Sequence, residues 1–161
     1  KKGLIDDNLD AGNDAWKEFE ALTDRRPANW DTDQDGMPDW WEKLAGTNPS
    51  AADNNELTDG EYTQLERYLN WLAEPHFITS AGNKLTIDLK QYFAGYNQQP
   101  VFTLESSIQP QEGKMKLNKK GILTISLNKK AADCLIDIKV KATDKDQVAS
   151  LQRTFHIAIT Q

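Results

Sequence analysis

"LIDIKVKATDKDQVASLQRTFHIAIT", residues 135–160, alternates apolar and polar side chains on both sides of a polar turn. Ile136, Ile138, Val140 and Ala142 share one face of the first half, and Phe155, Ile157 and Ile159 share one face of the second. Successive side chains of a strand point to opposite sides, so the spacing predicts a hairpin with one dry face. The same period recurs upstream. "KLTIDLK" sets Leu85, Ile87 and Leu89 against polar neighbours, and "GILTISL" does so with Leu123, Ile125 and Leu127. "PVFTLES" and "GKMKLN" are further strand candidates, separated by Gly, Pro and Asn turns. Six or seven short antiparallel strands over residues 76–161 predict an all-β sandwich of immunoglobulin-like size. Asp144 and Asp146 fall where the hairpin must turn, and read as turn residues.

Before residue 76 the composition is different. Residues 1–75 carry 18 acidic and 7 basic side chains, net -11; residues 76–161 carry 7 and 12, net +5, and the sum is the -6 of the whole chain. All five tryptophans (Trp16, Trp30, Trp40, Trp41 and Trp71) lie in the first part. The shift predicts two units meeting near Glu74-Pro75, with a small α-helical unit (1–75) ahead of the sandwich (76–161). The lysines of the second part are dispersed over strand-like segments, which argues against a nucleic-acid surface. No apolar run approaches the roughly 18 residues of a membrane span. The chain opens "KKGLIDD" with neither an initiator Met nor a signal peptide, as expected of a mature or excised piece of something longer. Cys134 is alone, so no internal disulfide is possible, and it reads as a small apolar filler ahead of a buried strand.

The first part begins with an irregular, acid-rich arm over residues 1–14. "AWKEFEAL" then spaces Trp16, Phe19 and Leu22 for a short amphipathic helix, which Arg26-Pro27 ends. Next comes "DTDQDGMPDWWE", residues 31–42, with five carboxylates around one glycine. Convergent carboxylates repel unless a cation sits among them. The pattern D-x-[DN]-x-[DN]-G-x5-E is that of an EF-hand calcium loop. Asp31, Asp33 and Asp35 occupy positions 1, 3 and 5; Gly36 makes the sharp turn; Met37 offers its carbonyl; Asp39 acts directly or through water; Glu42 offers both oxygens. The expected ion is Ca2+. Pro27 leaves no helix leading in, and Pro38 has no N–H with which to pair a partner loop, so a helix-loop-helix sensor is not expected. The helix that follows carries Trp40, Trp41 and Leu44 and closes at Gly46. Further on, "NNELTDGEYTQLE" places Asn55, Asp59, Gly60 and Glu66 in calcium register, but Leu57 fills the third position and has no oxygen to give. A capping box of Thr58 and Glu61, opening a helix over about 59–73 with Tyr62, Leu65, Leu69 and Leu72 as its apolar stripe, is the favoured reading.

A loop followed by a helix, without a leading helix, is the arrangement of dockerins and of thrombospondin type 3-like repeats. "DTDQDGMPDWWEKLAGTNPSAADNNELTDGEYTQLERYLNWL" resembles, more specifically, the tail of secreted polysaccharide lyases of the pectate lyase family in Bacteroides-like bacteria. Such tails read D-T-D-x-D-G-M-P-D-x-W-E, then G-x-N-P, then Y-T-x-L-E-x-Y-L-N. The likeness covers about residues 3–72 and is carried by 31–49 and 62–70. It implies a secreted or cell-surface protein with a parallel β-helix catalytic domain upstream, outside this chain, as partner. The usual tail has a second D-x-D-x-D-G loop, and here that loop is degraded. "LTIDLKQYFAGY" and the 136–160 hairpin resemble cadherin-like and related immunoglobulin-like surface modules, whose acidic corners bind calcium between domains.

Neither His76 nor His156 has a nucleophile or carboxylate partner visible in the sequence, so both are expected at the surface. No phosphate loop, zinc spacing or paired-carboxylate motif appears. A non-catalytic role is therefore expected, in one of three classes. The first is a calcium-stapled accessory tail whose sandwich spaces or anchors an enzyme. The second is a carbohydrate-binding module that stacks a polysaccharide on Trp40, Trp41, Trp71, Tyr92 or Tyr96. The third is a dockerin-like adaptor for a cell-surface protein. The accessory tail leads, because dockerins need two good loops and a small unit needs its tryptophans for a core.

Overall fold

The period-two segments form seven strands in a computed structural model of the chain, which describes residues 26–27, 29–58, 60–95, 100–146 and 149–160. They are β1 (His76–Ser80), β2 (Lys84–Asp88), β3 (Val101–Leu104), β4 (Gly113–Leu117), β5 (Ile122–Leu127), β6 (Cys134–Thr143) and β7 (Ser150–Thr160). One sheet runs β1-β7-β6-β3 and the other β2-β5-β4. This division, with the sixth and seventh strands beside the third and the second, fifth and fourth opposite, is that of an immunoglobulin-like sandwich. Leu89 does not continue β2. Asp88 accepts the Lys90 N–H at 3.2 Å and starts a single 3-10 turn, Leu89–Gln91, which still buries Leu89.

One pairing departs from the all-antiparallel expectation. β1 lies parallel to β7, from His76 opposite His156 to Ser80 opposite Thr160. The reason lies in the strand lengths. β6 and β7 pair over ten positions, Cys134–Ile159 to Thr143–Ser150, and would leave the far edge of β7 unpaired. Open edge N–H and C=O groups need partners. β1 supplies them instead of pairing with its sequence neighbour β2, and the Ser80–Asn83 turn carries the chain across to the other sheet.

Both faces of the β6–β7 ladder are covered. Inward, Ile136, Ile138, Val140, Ala142, Phe155, Ile157 and Ile159 meet Ile87, Leu123, Ile125 and Leu127 of the second sheet. Phe155 lies edge-on to Tyr92 with ring centroids 5.2 Å apart. Outward, Ala158 is fully buried beneath Met37, Trp41, Tyr68 and Trp71, with Leu135 at the margin. These side chains come from α1 (Asp39–Ala45) and α2 (Gln64–Ala73), and from the loop just before α1. Gly46, in the left-handed region at φ 84°, ends α1.

The chain divides between Trp30 and Asp31, and Asp31–Gln161 is one compact unit. The composition break at Glu74-Pro75 marks the step from α2 to β1 inside that unit. Ahead of it, Arg26 stacks 3.7 Å over the Trp30 ring, and the Trp30 N–H donates to the Pro27 carbonyl. The arm of residues 1–14 and the helix expected around Trp16, Phe19 and Leu22 lie outside the described residues.

α2 starts later than the sequence suggests. Thr58 to Tyr62 make a turn instead: Glu61 has a φ of 67°, Thr58 N–H donates to the Tyr62 carbonyl at 2.7 Å, and Leu57 bridges Thr63. The capping box is Thr63 with Glu66. The Thr63 hydroxyl accepts the Glu66 N–H, and Glu66 accepts the Thr63 N–H at 2.8 Å. The sequence holds two S/T-x-x-E frames, and Gly60 weakens the first as a helix start. The buried face is correspondingly different. Tyr68 and Trp71 are buried and Leu65 is partly covered, while Tyr62, Leu69 and Leu72 are exposed. Tryptophan and tyrosine carry more apolar surface than leucine, and they take the sheet-facing side. Trp71→Ala should therefore destabilise the chain by about 3–5 kcal/mol, and Leu69→Ala by no more than about 0.5 kcal/mol. Urea unfolding checks both, and equal losses would place the buried face where the leucine stripe lies.

Candidate metal centre

The loop ahead of α1 curls because its own carboxylates hold its N–H groups. Asp31 Oδ2 accepts from Gly36 at 3.1 Å, Asp33 Oδ1 from Asp35 at 3.2 Å, and Asp35 Oδ1 from Met37 at 2.9 Å. The chain passes through the left-handed region at Gln34 (φ 62°) and Gly36 (φ 98°), and only glycine adopts the latter freely. The curl draws ligand atoms of Asp31, Asp33 and Asp35 within 4.8 Å of one another. A second group, also within 4.8 Å, joins Asp35 and Glu42 to Asp53. Asp53 stands outside the sequence motif. Its only local sign is the turn it closes, accepting the Asn48 N–H at 3.0 Å.

The electrostatics are those of charges brought together without compensation. Glu42 is fully buried. Burial first, then Asp33, Asp35, Asp53 and Asp39, push its pKa up to about 7. Asp33 is likewise raised, by desolvation and by Asp35 and Asp31, against the lowering effect of the Asp35 N–H. Four oxygens here are buried and accept no hydrogen bond: Asp31 Oδ1, Asp33 Oδ2, Glu42 Oε2 and Asp53 Oδ1. Buried polar atoms are otherwise nearly always paired. A set made only of oxygens suits a hard cation such as Ca2+, which takes six to eight of them at 2.3–2.6 Å, and offers no soft donor.

Of the residues expected as ligands, Asp31, Asp33, Asp35 and Glu42 are drawn into these groups. Asp39 is not among them. Its two oxygens accept from the Thr32 N–H and the Thr32 hydroxyl, both at 2.8 Å, and these bonds hold its carboxyl below the usual range. Met37 buries its side chain beside Trp41, and its N–H is taken by Asp35. In the degraded second loop, Glu66 is spent on capping Thr63 and Leu57 is exposed, while Asp59 lies outside the described residues. Asp144 Oδ2 accepts the Ala149 N–H, closing the β6–β7 turn.

His156 does have a carboxylate partner, which the sequence reading missed. It stands directly opposite Asp137 across the β6–β7 ladder, and Nδ1 lies 2.6 Å from Asp137 Oδ1. That bond, more than the charges nearby, lowers the Asp137 pKa. The pair joins Trp41, Arg67, Trp71 and Leu135 around a cavity of about 180 Å³. The aromatic rings considered for sugar stacking are used internally. Trp41 and Trp71 are buried, Trp40 packs edge-on to Trp71, and Tyr92 lies between Phe77 and Phe155. Tyr96 lies outside the described residues.

No family model matches the chain, and no curated protein does. Among solved structures the titin M3 domain is similar, at 12% identity and a TM-score of 0.35, covering 55% of this chain and 90% of that one. A nucleoside hydrolase-related hypothetical protein from Saccharophagus degradans, associated with carbohydrate metabolism, is similar at 11% identity and a TM-score of 0.33. A family 123 glycoside hydrolase from Clostridium perfringens is similar at 13% identity and a TM-score of 0.31. The match spans 22% and 23% of those two chains, so it touches under a quarter of each. Likenesses this distant decide nothing about function, and the strand order carries the fold. Among the described residues no helix is long and apolar enough to cross a membrane.

Glu42 makes the strain measurable. Its folded pKa is raised from 4.5 to about 7. In metal-free protein its favourable effect is therefore complete below pH 4.5 and lost as pH rises through about 7. At about 1.4 kcal/mol per unit, ionising it costs on the order of 3 kcal/mol. With chelator present, Glu42→Gln should match the wild type in stability near pH 4.5 and exceed it at pH 8. Melting curves across this range check the crossover, and a constant difference between the two proteins would contradict it.

Proposed function

We propose that this chain is a non-catalytic, calcium-binding accessory region of a secreted, pectate lyase-like polysaccharide-degrading enzyme. In this reading Ca2+ staples the 31–42 loop, and the cadherin-like sandwich spaces or anchors the catalytic domain. The observation that carries it is the set of four buried carboxylate oxygens without partners, three of them on Asp31, Asp33 and Glu42 of the loop motif. The pectate lyase-type spelling of residues 31–49 and 62–70 supports the choice of parent enzyme. When bound, the ion supplies charge neutralisation and fixed coordination. The chain's own residues do the rest: the Asx-type bonds of the loop orient the oxygens, and Met37 and Trp41 bind the loop's end to the sheet face.

A ligand that binds only the folded form stabilises it by about 2.7 kcal/mol at a hundredfold excess over Kd. Calcium should therefore raise the melting temperature, and EDTA should lower it and shift the tryptophan fluorescence, since all five tryptophans lie before residue 76. Asp31→Ala or Glu42→Ala should abolish the response to calcium. Unchanged melting and emission after verified removal of the ion would rule out a staple. The same chain, with or without calcium, should release no unsaturated sugar from polygalacturonate, and turnover lost on mutating one of its residues would contradict the non-catalytic reading.

A further inference from the structure

We propose that Asp53, beyond the end of the loop motif, is a direct ligand of the same divalent cation, so that the ion clips the 48–55 segment to the 31–42 loop. The proposal rests on the calcium reading given above. It adds a residue that the motif does not contain.

Three observations meet at Asp53. First, its ligand atom lies within 4.8 Å of those of Asp35 and Glu42. Oxygens that share one calcium ion at about 2.4 Å can be no more than about 4.8 Å apart, and these three meet that condition. Second, Glu42 is fully buried, reaches into this group, and leaves Oε2 without a hydrogen bond, while Oε1 has only a 3.5 Å contact with the Thr47 hydroxyl. Third, Asp53 divides its labour. Oδ2 accepts from Asn48, and Oδ1 is buried and unpartnered. A carboxylate needed only for the turn would not have its second oxygen buried beside another acid.

The segment is held in place independently of any ion. The Asn54 N–H donates to Asp35 Oδ2 at 3.1 Å, and its side-chain amide donates to the Asp35 carbonyl at 2.9 Å. Each carboxylate oxygen has two lone pairs, so Asp35 can accept these bonds and still face a cation. The segment also reaches α2, because the Asn54 and Glu56 carbonyls accept the Leu65 and Gln64 N–H groups at 3.0 Å. An ion held by Asp53 therefore fastens the start of α2 as well as α1. Asp35 belongs to both carboxylate groups and so links Asp53 to the loop, while Asp39, occupied by Thr32, belongs to neither.

Calcium titration calorimetry on the full chain tests this, with Asp53→Asn and Glu56→Gln beside the wild type. Asparagine keeps an oxygen for Asn48 and turns an amide nitrogen toward the ion, and should weaken the calcium Kd about tenfold or more. Glu56 is exposed, and its substitution removes the same charge and should leave the Kd within about twofold. In chelator, Asp53→Asn should melt no lower than the wild type, because it keeps the Asn48 bond and relieves repulsion, so a weaker Kd cannot be put down to a lost turn. An Asp53→Asn Kd within twofold of the wild type overturns the proposal while leaving calcium binding intact. A wild-type chain that binds no calcium overturns the underlying reading as well. Should the variant fail to fold, a crystal structure of the wild type with calcium decides. Asp53 Oδ1 at about 2.3–2.6 Å from the ion supports the inference, and an ion held without it refutes the inference.

Discussion

The structure depends on burying both faces of the β6–β7 ladder. A sheet in an isolated sandwich has one dry face and one wet one, and most strands here obey that rule. At the lower end of this ladder the rule is suspended. Ile136 and Ile157 face the sandwich core, while Leu135 and Ala158 face Trp41, Tyr68 and Trp71. The small side chain at Ala158 is what lets the large rings approach. Among the described residues the two helices, seven and ten residues long and too short to be stable alone, have no comparable apolar partner elsewhere. Their order is borrowed from the sheet.

That dependence explains why the acidic loop can hold its carboxylates together. Met37 lies inside the loop and yet is fully buried in the outer core, so the loop cannot open without withdrawing an apolar side chain from its site. Trp41 and Glu42 follow on α1, both fully buried, one in the outer core and the other beside Asp35 and Asp53. Hydrophobic burial holds the charges in place against their mutual repulsion. The energetic conflict is local, and it falls within the residues where a divalent ion would relieve it.

Much of this was legible from residue spacing. The inner faces of β2, β5, β6 and β7 follow from alternation alone, because burial on one side imposes period two. The grouping of Asp31, Asp33 and Asp35, and the approach of Glu42 to Asp35, follow from the motif's spacing around Gly36. Other features were not legible. Ala158 reads as part of a simple alternation, and nothing in a single strand says that its polar-looking face will be covered by helices. The parallel pairing of β1 with β7 depends on an edge created far along the chain. Asp53 carries no motif, since its place is set by the Asn48 turn and the Asn54 bonds to Asp35. His156 and Asp137 find each other through register, which is fixed by the whole hairpin. The start of α2 was a choice between two equivalent capping frames, settled by the turn at Glu61.

The parallel β1–β7 pair has a mechanical meaning. Tension applied between the chain entering β1 at His76 and the chain leaving β7 at Thr160 pulls the two strands in opposite directions along their common axis. The bonds from His76–His156 to Ser80–Thr160 are then loaded together, in shear, and must fail as a group. An antiparallel hairpin pulled from its open end would instead peel one bond at a time. Between these two points, the parallel pairing resists extension better than a hairpin edge of the same length would.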